Sequence, residues 1–177
     1  ILGCEVYVAP GSRFDREIGS GDDRYYHLVL LAENNQGYQN LMKIVSKSFK
    51  EGFYYKPRVD LELLREYHEG LIALSACLAG ESTAADVDLD VKGMYPDAKK
   101  AALRYQEIFG EGNFFLELQD HGIPEQQNVN QQLLRMHQET GIDLVATNDI
   151  HYTYKEDADP HDILLCLQTG KKLSDTD

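Results

Sequence analysis

The 177-residue sequence contains no tryptophan and only three cysteines, Cys4, Cys77 and Cys166. These cysteines are odd in number and widely spaced, and no CxxC pair occurs, which is typical of a reducing compartment rather than a disulfide scaffold. No apolar run approaches the roughly 18 residues that a membrane helix needs. The sequence therefore excludes a membrane-spanning protein, and we expect no membrane partner.

Basic residues are also scarce. There are 17 Lys and Arg against 30 Asp and Glu, which gives a formal net charge of −13. A stand-alone binder of duplex DNA neutralises phosphates with a basic face, so this balance argues against one. Any nucleic-acid chemistry would need a metal or a basic partner domain. The P-loop, GxGxxG, GxSxG and HExxH motifs are absent as well.

The apolar pattern predicts strands that alternate with helices. The predicted strands are 1–9, 27–32, 71–74, 114–118 and 143–147. The predicted helices are one capped by Asn34 or Asn35, 61–67 capped by Asp60, 96–109, Pro124 to Gly141, and 157–169. This alternation indicates βα units and a parallel sheet. The intervening segments 10–24 and 82–95 are predicted to be exposed loops, and Lys56-Pro57-Arg58 a small basic spot on the surface.

Polar residues that can bind metals follow three of these strands. Strand 71–74 is followed by Cys77, strand 114–118 by His121, and strand 143–147 by Asp149 and His151. In parallel α/β folds the carboxyl ends of the strands meet at one rim, where the chemistry collects. Imidazole, thiolate and carboxylate groups at one rim indicate a Zn or Mn site that can activate water.

Each candidate ligand also has a structural interpretation. Asp149 could cap the next helix, Cys77 could be a small buried hydrophobe, and His121 could brace the turn before Pro124. Glu5 lies inside an apolar strand, where a charge is costly unless it is paired, bound to metal or exposed on an edge strand. His27 opens a buried strand and could be a core histidine whose hydrogen bonds are satisfied.

Six segments resemble one known family, in the same order along the chain. They are Gly3-Cys4-Glu5-Val6-Tyr7, Tyr26–Ala32, Gly52-Phe53-Tyr54-Tyr55-Lys56-Pro57-Arg58, Leu74-Ser75-Ala76-Cys77, Phe115–Gly122 and Ala146–Tyr152. They resemble the N-terminal PHP (polymerase and histidinol phosphatase) domain of bacterial replicative DNA polymerase III alpha subunits. The resemblance covers essentially the whole chain.

The resemblance implies an α/β fold, a distorted seven-stranded (βα) TIM-like barrel of the PHP type, with up to three metal ions at the strand C-terminal rim. Glu5 resembles the carboxylate that bridges two metals, His27 and Cys77 resemble middle ligands, and Asp149 and His151 resemble the final Asp-x-His pair. The catalytic role would rest on Glu5, Asp149 and His151. The family's first motif, His-x-His, does not occur in this chain, so we expect residues 1–177 to be a partial, incomplete barrel.

The resemblance implies a part of a DNA-directed DNA polymerase, a nucleotidyltransferase that uses Mg in its other domains. This part would be a metal-dependent phosphoesterase, such as a 3′–5′ proofreading exonuclease, although inactive as an isolated piece. An alternative is a structural platform that docks a separate proofreading exonuclease subunit, and another is a free-standing PHP phosphatase. The implied partners are DNA, bound by other domains, and the replicative holoenzyme subunits, in the bacterial cytoplasm.

Overall fold

The computed structural model describes residues 1–16, 25–77, 80–81 and 95–175. The predicted loop 82–95 therefore lies outside the described residues except for Tyr95. Of the predicted exposed loop 10–24, residues 10–16 are described; they contain no helix or strand, but Arg13 is buried rather than exposed. The chain divides into two compact units, Ile1–Thr147 and Asn148–Asp177. Each unit is described by itself below.

The first unit contains seven strands and four helices among its described residues. The strands are β1 (Gly3–Val8), β2 (Tyr26–Ala32), β3 (Phe53–Tyr54), β4 (Lys56–Val59), β5 (Leu71–Leu74), β6 (Phe114–Leu118) and β7 (Leu144–Ala146). The helices are α1 (Asn35–Lys50), α2 (Leu61–Tyr67), α3 (Tyr95–Phe109) and α4 (Pro124–Thr140). The predicted caps are confirmed: the Asn34 side chain accepts from the Gly37 N–H and the Asp60 side chain from the Leu63 N–H.

The strands form one sheet in the order β3-β4-β1-β2-β5-β6-β7. Strand β1 pairs in parallel with β4, β5 with β6, and β6 with β7. The described strands leave the sheet open, with β3 and β7 at its two ends. The α/β class is thus confirmed, whereas the closed barrel stays a prediction.

The predicted parallel sheet is wrong at β2. This strand runs antiparallel to both neighbours, β1 and β5. The segment between β1 and β2 has no described helix that could carry the chain back across the sheet, and an antiparallel pair needs no such crossover. The reversal matters for the site, because it places the N-terminal end of β2, with His27, at the edge where the neighbouring parallel strands end.

The two faces of the sheet differ in what covers them. Alternate residues of the central strands face the helices and build the core: Val6, Val8, Leu28, Leu30, Ala73, Phe114 and Leu116. They pack with apolar residues of the helices, including Leu41 of α1 and Leu133 of α4. By strand alternation and register, the opposite face carries Glu5, His27 and Glu117. We call this second face the open face.

A short hairpin, β3 and β4, was not predicted from the sequence. Pro57 interrupts the apolar pattern there, and proline counts against a strand. The predicted surface position of Arg58 is wrong, because Arg58 is 0% exposed. Its guanidinium donates to the backbone carbonyls of Gly52 (3.3 Å) and Asp15 (2.5 Å) and so ties the hairpin to the segment after β1.

The second unit contains a 3₁₀ turn, Lys155–Asp157, followed by helix α5 (Ala158–Thr169). Asp157 joins the two, because its carboxylate accepts from the Tyr154 N–H at 3.0 Å. Gly170 ends α5 in the left-handed conformation with φ 70°, which glycine adopts without strain. The predicted helix 157–169 is therefore confirmed to within one residue.

Candidate metal centre

Three of the predicted ligands meet on the first unit. His27 Nδ1 lies 3.3 Å from Glu5 Oε1 and 3.8 Å from Cys77 Sγ. Glu5 comes from the middle of β1 and His27 from the start of β2, while Cys77 lies three residues beyond the end of β5. Since β1 is an interior strand of the sheet, the edge-strand interpretation of Glu5 is wrong.

These spacings suit a shared metal. Typical bonds from Zn²⁺ are about 2.0–2.1 Å to imidazole nitrogen or carboxylate oxygen and about 2.3 Å to thiolate sulfur. With tetrahedral angles, such bonds place a nitrogen and an oxygen ligand about 3.3 Å apart and a nitrogen and a sulfur ligand about 3.6 Å apart. The two distances at His27 lie close to these values, and the donor types are those that Zn or Mn bind.

The complete arrangement is nevertheless not formed. In the ranges that the structure describes, no three His, Cys, Asp or Glu side chains are placed so that they could hold a metal ion as they stand. Glu5 and Cys77 both approach the same imidazole nitrogen, so that nitrogen takes part in hydrogen bonds. Binding a metal would require that a cation replace the proton between these groups.

The electrostatics of His27 agree with this picture. Hydrogen bonding to Cys77, and then to Glu5, raises the pKa of His27 from 6.5 to about 9, against the opposing effect of burial. The rings of Tyr7 and Tyr25 flank the imidazole, with centroids 5.2 and 6.1 Å away. The surroundings of His27 therefore favour a positive charge on its imidazole.

The Asp149 and His151 pair lies on the second unit. His151 Nδ1 is 2.7 Å from the backbone carbonyl oxygen of Asp149. A carbonyl only accepts, so Nδ1 carries the hydrogen, and in the neutral form of the ring the lone pair lies on the other nitrogen, Nε2. Metal-binding histidines are commonly fixed in this tautomer by such a bond. The local geometry thus suits His151 for ligation.

Backbone strain occurs at one predicted ligand, Asp149, and next to another, Cys77. Among the described residues other than glycine, only Tyr55, Ala76 and Asp149 have positive φ, and Ala76 directly precedes Cys77. Ala76 has φ 64° and Asp149 φ 47°. A side chain in this region costs about 1–3 kcal/mol, and such residues cluster at functional sites. One of the three strained residues is a candidate ligand and another directly precedes one, so the strain agrees with a functional role for these two segments.

His121 braces its turn. Its backbone N–H donates to Gln126 Oε1 at 2.8 Å, and its Nδ1 lies 2.9 Å from Gln126 Nε2. Both bonds link the segment after β6 to the first turn of α4. The geometry agrees with the structural interpretation of His121.

One carboxylate at this edge of the sheet was missed. Glu117, in β6, is 6% exposed, and its Oε1 accepts from Thr147 Oγ1 (2.5 Å) and Gln119 Nε2 (3.4 Å). The signal was available in the sequence, because Glu117 is a charged residue within the apolar run Phe114–Leu118. The same signal drew attention to Glu5.

Comparison with known families decides the family of the chain. The profile of the PHP domain matches residues 1–121, more than half of the chain. The chain belongs to the PHP domain family. This confirms the resemblance seen in the sequence.

Relatives of this PHP domain are much longer proteins. It is 50% identical over 175 residues to the DNA polymerase III subunit alpha of Treponema pallidum, and 47% and 48% identical to those of Deinococcus radiodurans and Thermus aquaticus. Each match covers 99% of this chain but only 13–15% of the relative. Among the described residues, no helix has the length and apolar character needed to cross a membrane.

Proposed function

We propose that this PHP domain is part of the alpha subunit of a bacterial replicative DNA polymerase III. The near-complete coverage of the chain at 47–50% identity supports this assignment. In this proposal the parent chain is a DNA-directed DNA polymerase. Its nucleotidyl transfer, with Mg, and its DNA binding lie in other domains, and it works with the other replicative holoenzyme subunits in the cytoplasm.

Within that chain, we propose that the PHP domain carries a metal-dependent phosphoesterase site, and that its activity is 3′–5′ exonuclease cleavage. The proposed ligands of Zn or Mn are Glu5, His27, Cys77, Asp149 and His151. The observation that carries the proposal is the approach of Glu5 and Cys77 to His27 Nδ1 at 3.3 and 3.8 Å. When bound, the metal would polarise a phosphodiester and lower the pKa of water.

The residues of the chain have separate roles in this site. Glu5 supplies a carboxylate from a rigid interior strand, 41% exposed and so accessible from the open face. His151 presents Nε2, because the Asp149 carbonyl holds the hydrogen on Nδ1. Tyr7 and Tyr25 limit the movement of the His27 ring. Rigid placement of this kind lowers the entropy cost of assembling a site.

The test is an exonuclease assay on the full-length parent polymerase, with a labelled 3′ end and added Zn²⁺ or Mn²⁺. Asp149→Ala and His151→Ala should each abolish 3′–5′ cleavage, while polymerase activity persists. Glu107→Gln, which removes a charge from the exposed face of α3, serves as the control and should leave cleavage unchanged.

Equal cleavage by the wild type and the Asp149→Ala protein would overturn the catalytic proposal. It would favour instead a platform that docks a separate proofreading exonuclease subunit. In that case the same substitution should weaken binding of that subunit, which a pull-down of the two purified proteins would detect.

A further inference from the structure

A buried carboxylate oxygen at the edge of the open face has no partner. Among the residues that the structure describes, Glu117 Oε2 is one of only three buried side-chain nitrogen or oxygen atoms without a hydrogen bond. The other oxygen of the same carboxylate, Oε1, accepts from Thr147 and Gln119. The orientation of Glu117 is therefore fixed by Oε1, while Oε2 is left for another group.

The carboxylate borders a small cavity with both polar and apolar lining residues. The cavity has a volume of about 10 Å³ and lies between the ends of β5 and β6 and helix α4. Cys77, Glu117, Gln119, Gln126 and Asn130 line it, together with Val129. A cavity of roughly 10–15 Å³ with several polar neighbours is enough for one water molecule.

A hydrogen-bond donor in this cavity would stabilise the buried carboxylate of Glu117. An unpaired carboxylate oxygen is costly to bury, and the cost falls when a donor reaches it. A water molecule has two hydrogens, so one can go to Glu117 Oε2 and the other to a second acceptor. Cys77, which lines the same cavity, offers a sulfur acceptor.

We propose that Glu117 is a positioning residue for Cys77, acting through one ordered water in this cavity. The proposal rests on the proposed metal site, in which Cys77 is a ligand. The carboxylate adds negative charge behind the thiolate and limits its orientation, and both effects favour a bound cation. Partners that orient metal ligands in this way typically change metal affinity 10–100-fold.

The experiment measures metal binding by the full-length parent polymerase. Zn²⁺ affinity is obtained by competition with a chelator, and the thiolate-to-metal absorption band is recorded after Co²⁺ substitution. Glu117→Gln should weaken Zn²⁺ binding about tenfold and shift the Co²⁺ band. Glu107→Gln, which removes the same charge from an exposed site, should change neither. In a Cys77→Ala background, Glu117→Gln should cause no further loss, because the two residues act as one unit.

A second variant covers the case in which Glu117→Gln does not fold. Val129→Leu leaves the carboxylate intact and fills the cavity with an extra methylene, so it should also weaken Zn²⁺ binding. Melting with and without Zn²⁺ separates positioning from plain stability. A purely structural role of Glu117 would lower both melting temperatures equally, and that result would overturn the inference.

The inference and the proposed function fail in different ways. If the wild type binds Zn²⁺ and Glu117→Gln binds it equally well with an unchanged Co²⁺ band, the positioning role is wrong and the metal site stands. If the wild type binds no Zn²⁺, the metal site itself is wrong, and the role of Glu117 falls with it.

Discussion

Replacing Asp60 by alanine should destabilise the first unit strongly. The Asp60 carboxylate, whose side chain is 4% exposed, serves two elements at once. Its Oδ1 accepts from the Leu63 N–H at 3.0 Å and so caps α2. It also accepts from the backbone N–H of Arg13 at 2.8 Å and from the Arg13 guanidinium at 3.0 and 3.1 Å.

The size of the effect follows from these bonds. Losing an N-cap costs about 1 kcal/mol, and a buried N–H without an acceptor costs about 1–3 kcal/mol. Breaking a buried ion pair costs about 3–5 kcal/mol, but Glu51 still holds Arg13 Nε at 2.9 Å after the change. Because these terms overlap, we expect Asp60→Ala to lower the free energy of unfolding by about 3–5 kcal/mol in total.

The loss of unfolding free energy can be measured by urea unfolding of the chain. The midpoint of the transition should fall, while the slope of the unfolding free energy against urea concentration stays unchanged. Asp60→Asn keeps a side-chain acceptor for the cap and loses the charge, so it should cost about half as much. Glu62→Ala is the matched control, because Glu62 is 79% exposed and lies 3.5 Å from Arg13; we expect a change within about 0.5 kcal/mol. A loss below about 1 kcal/mol for Asp60→Ala would refute the reasoning.

Three further predictions concern packing and charge. Gly37→Ala should destabilise by about 1–3 kcal/mol in urea, although alanine favours helices, since its Cβ would lie 1.7 Å from the Gly70 carbonyl oxygen. Leu116→Ala should cost about 2–5 kcal/mol in the same assay, since Leu116 is 0% exposed. The hydrogen bond from Lys99 has the largest effect on Glu139, followed by hydrogen bonds from other groups on α3 and α4, and together they lower the pKa of Glu139 to about 2. NMR titration of this carboxyl should reproduce that pKa. The stability that Glu139 adds over Glu139→Gln should therefore be full above about pH 5 and disappear as the pH falls through about 2.

The ends of helices were predictable from the sequence wherever a capping residue defines them. Asn34 and Asp60 mark helix starts, and Gly141 ends α4 with φ 76°. The direction of β2 was not predictable from this alternation, because the apolar pattern of a strand does not record the direction in which it pairs with its neighbours. The β3–β4 hairpin was missed because Pro57 breaks its pattern, although β4 pairs with β1.

The candidate site was predicted only in part. The resemblance to PHP domains pointed to His27 and Cys77, and the strand pattern alone pointed to Cys77 and Asp149. Neither could show that Glu5 and Cys77 approach one nitrogen of His27, because that contact depends on the register of β1, β2 and β5. Glu117 carries the same sequence signal as Glu5, a charge within an apolar run, but its hydrogen bond with Thr147, 30 residues away in sequence, could not be predicted.

We propose that this PHP domain holds catalytic metal ions. Elemental analysis of the full-length parent polymerase, purified without chelator and then dialysed, tests it most directly. The account predicts at least one equivalent of Zn or Mn per chain in the wild type, and a clear loss in Cys77→Ala and in His151→Ala. A wild-type protein without stoichiometric metal, or variants that keep the full amount, would contradict it.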